Sequence, residues 1–126
     1  MFKLVPSLSA AVLSASLLVA TVSDALAHHG WRWTTGGNIE LTGVVTKAEL
    51  GNPHGVLTMN VEGETWMVEV GQPWRNERAG LIDADMAPGA ELTIIGEPSA
   101  DVNQRLMKAE RIVIDGKTYD LYPGRD

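Results

Sequence analysis

Val56-Leu57-Thr58-Met59-Asn60-Val61-Glu62-Gly63-Glu64-Thr65-Trp66-Met67-Val68-Glu69-Val70 alternates apolar and polar residues on both sides of a glycine, which is the pattern of a β-hairpin. With Gly63-Glu64 as the two-residue turn, Glu62 opposes Thr65 and Met59 opposes Val68. Leu57, Met59, Val61, Trp66, Val68 and Val70 then share one face, and that face requires a core. Before the hairpin, Gly51-Asn52-Pro53-His54-Gly55 is a dense cluster of turn residues. Before that again, Asn38 to Leu50 reads as a strand carrying Ile39, Leu41, Val45, Ala48 and Leu50. Its apolar phase shifts across Val44 and Val45, which predicts a bulge or sharp bend at Gly43. After the hairpin the period changes: Pro73 suits a first helical turn and Gly80 a left-handed C-terminal position, so a short helix fits between Gln72 and Gly80. Pro88-Gly89 turns the chain into a strand from Glu91 to Gly96, and Pro98 to Gln104 is a polar loop. Strands from Leu106 to Ile114 and from Lys117 to Leu121 meet at Asp115-Gly116. The order predicts an all-β fold, a small OB-like barrel of five or six strands with one short helix between strands 3 and 4. A β-sandwich is the runner-up, but it normally needs seven strands.

The chain has 126 residues, too few for two ordinary domains. Its first 27 residues read as a secretory signal peptide: Lys3 is the positive start, Leu8 to Val22 is apolar and small, and Ala25-Leu26-Ala27 is a small-x-small cleavage signal. The run is broken by Ser7, Ser9, Ser14, Ser16 and Ser23, which disfavours a retained membrane anchor. Residues 28–37 then form an N-terminal arm and 38–126 the barrel domain, in a secreted or periplasmic protein with no membrane insertion after cleavage. A net charge of -6 argues against nucleic acid as partner, since that binding needs basic residues to displace phosphate counterions. The absence of cysteine excludes a thiolate metal site, a disulfide and a thiol nucleophile.

The chain contains three histidines, and none falls in an expected strand. His28 and His29 open the mature chain, and His54 follows Asn52-Pro53. Cleavage before His28 leaves an α-amine and an imidazole on one residue, a chelate to which a second imidazole can add. Nitrogen sets of this kind suit Cu(II); zinc would need a carboxylate or water to complete a tetrahedron. The metal ligands expected are therefore His28, His29 and His54, with copper as the metal. The arm can span up to about 35 Å, enough to reach the His54 loop. The plainer alternative is a frayed end and a histidine that only satisfies turn carbonyls.

Trp31 and Trp33 read as anchors that pin the arm onto the barrel. Trp66 is in phase with the core, and Trp74 is expected to pack the helix onto a barrel end. Met59, Trp66 and Met67 form a rival Cu(I) set of the kind used by small periplasmic copper chaperones on OB barrels, but the register puts Met59 inside and Met67 outside. Glu62, Glu64 and Glu69 read as a solvated face with no acid-base pair, and no serine-nucleophile elbow or zinc-protease helix is present.

His28-His29-Gly30-Trp31, Gly43-Val44-Val45, Asn52-Pro53-His54, Trp66 with Glu69, Arg78-Ala79-Gly80-Leu81, Pro88-Gly89 and Gly96 together resemble a widespread family of secreted bacterial proteins classed as domain of unknown function 6152. The resemblance covers essentially the whole mature chain. Where that family usually has an aromatic residue before Asn-Pro-His, this chain has Glu49-Leu50-Gly51. The resemblance implies export and a small β fold, and it brings no activity. The expected function is therefore a small periplasmic binding protein that takes up copper and is not an enzyme. The alternative is a non-metal interaction module whose barrel face or Trp-bearing arm docks an envelope protein. A copper monooxygenase using the same nitrogens is a third reading, disfavoured because no substrate face is evident.

Overall fold

The computed structural model describes Lys3 and residues 30–125. The described residues form six strands: β1 (Ile39–Glu49), β2 (Val56–Val61), β3 (Glu64–Glu69), β4 (Glu91–Pro98), β5 (Leu106–Ile114) and β6 (Lys117–Asp120). A helix, α1 (Pro73–Ala79), and a 3-10 turn (Asp83–Met86) separate β3 from β4. Strands β1, β2 and β3 form a meander, β4 returns to the other edge of β1, and β5 pairs antiparallel with β4. A short parallel ladder from β3 to β5 closes the ring, matching Met67, Val68 and Glu69 with Leu106, Met107 and Lys108. The five-stranded cycle β1-β2-β3-β5-β4 with a helix after β3 is an OB-type barrel. Strand β6 extends one side as a hairpin with β5. No helix among the described residues is long and apolar enough to cross a membrane.

The interior is filled by one residue in two from each strand, as the pleat requires. Val45, Leu57, Met59, Val68, Leu92, Ile94, Met107, Ala109 and Ile112 are all 1% exposed or less. Leu81, Met86 and Leu121 add to the same cluster from outside the barrel strands.

Two registers differ from the expectation. The hairpin turn is Glu62-Gly63, both with positive φ (52° and 83°), so Met59 opposes Trp66 and Leu57 opposes Val68. This is a slip of two residues from the pairing the sequence suggested, and a slip of two keeps every side chain on its face. Asn60 fixes the choice, because its side-chain oxygen accepts the Gly63 N–H at 2.9 Å. In β1 the register shift lies between Val45 and Lys47, two to four residues beyond Gly43. Gly43 instead lies where β1 passes from β4 to β2: a Cβ there would meet the Asn60 carbonyl oxygen at 2.3 Å. The short helix, Gly80 at φ 96° and the Asp115-Gly116 turn fall where the sequence puts them.

Candidate functional site

The His54 loop is held by backbone pairing that continues the hairpin past its last residues. Gly55 donates to the Gly71 carbonyl at 3.0 Å and accepts from Val70 N–H at 2.9 Å. The buried amide of Asn76 on α1 brackets Gly71, accepting its N–H and donating to its carbonyl, both at 3.0 Å. Helix, hairpin end and loop thus form one fixed unit, and the Asn52–Pro53 peptide within it is cis.

This unit sets His54 against Glu69, the last residue of β3. Nε2 of His54 lies 2.6 Å from Oε1 of Glu69, and the two side chains are 23% and 7% exposed. A carboxylate accepts and does not donate, so Nε2 carries a proton and donates it in the hydrogen bond to Glu69. Nδ1 is buried and has no hydrogen-bond partner among the described residues. Next to it, Glu49, Leu50, Gly51, Asn52, His54 and Val56 line a cavity of about 280 Å³.

Glu69 does not belong to a solvated face. It points outward from the barrel, as the alternation requires, but the His54 loop folds over it and leaves it 5% exposed. Glu64 meets the expectation, forming an exposed two-pronged bridge with Arg105 at 2.9 and 3.0 Å. Beside Glu69 in the parallel ladder stands Lys108, also buried. Its ammonium donates to the Gly30 carbonyl at 2.9 Å. Burial lowers the Lys108 pKa, an effect opposed by the Glu69 carboxylate and reinforced by Arg125 and Arg75. Burial likewise raises the Tyr122 phenol.

A second outward-facing cluster adjoins Lys108. The Arg125 guanidinium donates from Nε to Glu110 Oε1 at 3.0 Å and from a terminal nitrogen to Glu97 Oε2 at 2.7 Å. Both carboxylates are at most 2% exposed. Thr34 donates to Glu97 at 3.0 Å and Asn38 to Glu110 at 2.7 Å, so the arm and the C-terminal segment together roof this side of the barrel.

His54 is the one expected ligand that the structure describes; His28 and His29 lie outside the described residues. Among the described residues no three His, Asp or Glu side chains gather in a metal-holding group. Trp31 is an anchor, packed edge-on against Tyr122 with centroids 5.1 Å apart. Trp66 packs against the core, whereas Trp74 is 51% exposed. The expected packing of Trp74 on a barrel end is therefore corrected: its ring lies on the surface under the guanidiniums of Arg75 and Arg78, at 4.6 and 5.1 Å. Met59 is buried and Met67 is 40% exposed, on opposite sides of the sheet, so the two sulfurs do not form a pair.

No curated protein matches the chain. Among solved structures it is similar to the S. pombe Stn1–Ten1 complex, with a TM-score of 0.49 and 16% identity over 60% of this chain and 56% of that one. It is also similar to the ZRD-deleted mutant of TiaS in complex with agmatine, with a TM-score of 0.46 and 13% identity over 67% of this chain and 26% of that one. The chain thus spans about half or less of the length of these structures. The model of the family of unknown function DUF6152 matches residues 15–108, and the chain, with its Asn-Pro-His loop held on Glu69, belongs to that family.

Proposed function

We propose that this is an exported, periplasmic copper-binding protein in which His54 and the N-terminal histidines of the mature chain, His28 and His29, hold Cu(II). The observation that carries the reading is the placement of His54: one ring nitrogen donates a hydrogen bond to Glu69, and the other is buried with no hydrogen-bond partner among the described residues. Metal-binding histidines are commonly arranged this way, because a carboxylate on the far nitrogen fixes the tautomer and makes the near nitrogen a better ligand. A buried ring nitrogen without a partner is costly, and coordination of a cation by the neutral ring relieves that cost. The α-amine and imidazole of His28 supply the remaining nitrogens once residues 1–27 are removed. Export rests on the features of those residues, and the preference for copper over zinc rests on the all-nitrogen donor set.

The test is Cu(II) titration of protein isolated from the periplasm, with the N-terminus verified by mass spectrometry. Glu69→Gln is expected to weaken binding roughly 10–100-fold, the usual cost of losing the carboxylate behind a ligating histidine. His54→Ala should weaken it at least as much. Binding should also fall in mild acid, because the α-amine, with pKa near 7.7, must lose its proton to ligate. Wild-type protein with no Cu(II) affinity tighter than about micromolar, or equal affinity in all three proteins, sinks the reading.

A further inference from the structure

The cavity beside His54 has a second charged wall. Cross-strand pairing sets Glu49 of β1 opposite Val56 of β2, and Val56 opposite Glu69 of β3. Residues directly opposite share a face of the sheet. Leu57, next to Val56, is in the core, so Glu49, Val56 and Glu69 form one outward rung. Two strand spacings separate Glu49 from Glu69, about 10 Å between their backbones. His54 covers the Glu69 end of the rung, and Glu49, Val56 and His54 line the same cavity.

The two carboxylates are occupied differently. Glu69 is buried and accepts the His54 Nε2–H. Glu49 turns to Lys47, with the ammonium at 2.9 Å and both side chains 66% exposed. An exposed pair of this kind holds weakly, so the Glu49 carboxylate is available to a stronger cation at small cost. In that orientation no three His, Asp or Glu side chains gather among the described residues. An exposed side chain changes rotamer within nanoseconds, and such a change frees Glu49 to face the cavity it already lines.

Resting on the copper reading, we propose that Glu49 is a further metal ligand, whose carboxylate leaves Lys47 to hold the ion together with Nδ1 of His54. The imidazole is a neutral donor and the carboxylate neutralises one of the ion's two charges. Mixed nitrogen and oxygen donors suit the tetragonal geometry of Cu(II). Lys47 is then the competitor that the metal displaces, which gives the two neighbours opposite effects on affinity.

Glu49→Gln, Lys47→Gln and the double variant test this by Cu(II) titration of protein from the periplasm, with Glu62→Gln as a control for net charge. Glu62 is exposed at the hairpin turn, the other end of β2 from Val56. Glu49→Gln should bind about tenfold more weakly or worse, the scale of one charge removed a few ångströms from a divalent ion. Lys47→Gln should bind about two- to fivefold more tightly, the worth of an exposed ion pair. Once Glu49 is gone, Lys47→Gln should add nothing. Glu49→Gln that binds like wild type, or no more weakly than Glu62→Gln, overturns the ligand role of Glu49 and leaves the copper reading standing. So does a Lys47→Gln gain that persists without Glu49, the mark of long-range charge alone. Wild type that binds no Cu(II) overturns the copper reading and this inference with it.

Discussion

Replacing Arg125 with Met is expected to destabilise the protein by about 3 kcal/mol, read as a lower urea midpoint at unchanged slope. Arg125 bonds both Glu97 and Glu110, spanning two strands with one planar fork. Without Arg125, Glu97 loses its 2.7 Å ion pair and Glu110 keeps only the longer one to Arg111 at 3.6 Å, and removing a partner from a buried charge group costs far more than the intact pair contributes. Arg125 itself is 38% exposed, so water softens the loss, and the figure sits at the low end of the range for buried pairs. Thr34 and Asn38 would still donate to the two carboxylates, but neutral donors do not cancel charge. Arg125→Lys keeps the charge and loses the fork, so it should cost less than Met. A loss below about 1 kcal/mol for Arg125→Met would mean that the two carboxylates are neutralised by other groups.

The sequence made legible what depends on neighbours along the chain, and hid what depends on segments that meet only on folding. Alternation in Val56–Val70 identifies the buried face correctly, because a face has period two. Alternation cannot separate registers two residues apart, so the pairing of Met59 with Trp66 was decided by the Glu62-Gly63 turn and the Asn60 side chain. His54 was legible as a candidate through its type and its loop. Its partner was not: Glu69 alternates outward beside Val68, and outward normally means solvated. Only the return of the Asn52–Gly55 loop onto Gly71 buries it. Glu97, Glu110 and Arg125 likewise show no local spacing, since β4, β5 and the C-terminal segment bring them together. Trp74 failed for a different reason. A tryptophan on a seven-residue helix suggests an apolar contact, but two flanking arginines can cover an indole face in water just as well.

Gly96→Ala is expected to cost about 3 kcal/mol or more. Gly96 is in β4 where the β4–β5 register shifts, and the β5 backbone crosses directly over it. A Cβ there would lie 2.0 Å from the Lys108 carbonyl oxygen and 2.9 Å from the Ala109 Cα. Backbone cannot rotate aside as a side-chain tip can, so the strands must part locally. The Lys108 carbonyl belongs to the residue that holds Gly30 and stands beside Glu69, so the same distortion reaches the His54 site. Gly51→Ala is the matching control, because a Cβ there meets nothing within 4 Å and its backbone is not in the left-handed region. Urea unfolding of the two variants should therefore separate them by most of the 3 kcal/mol, with Gly51→Ala within about 0.5 kcal/mol of wild type. If Gly96→Ala is as stable as the control, β5 has room to move away from β4, and the close crossing that forms this side of the barrel is not what requires glycine there.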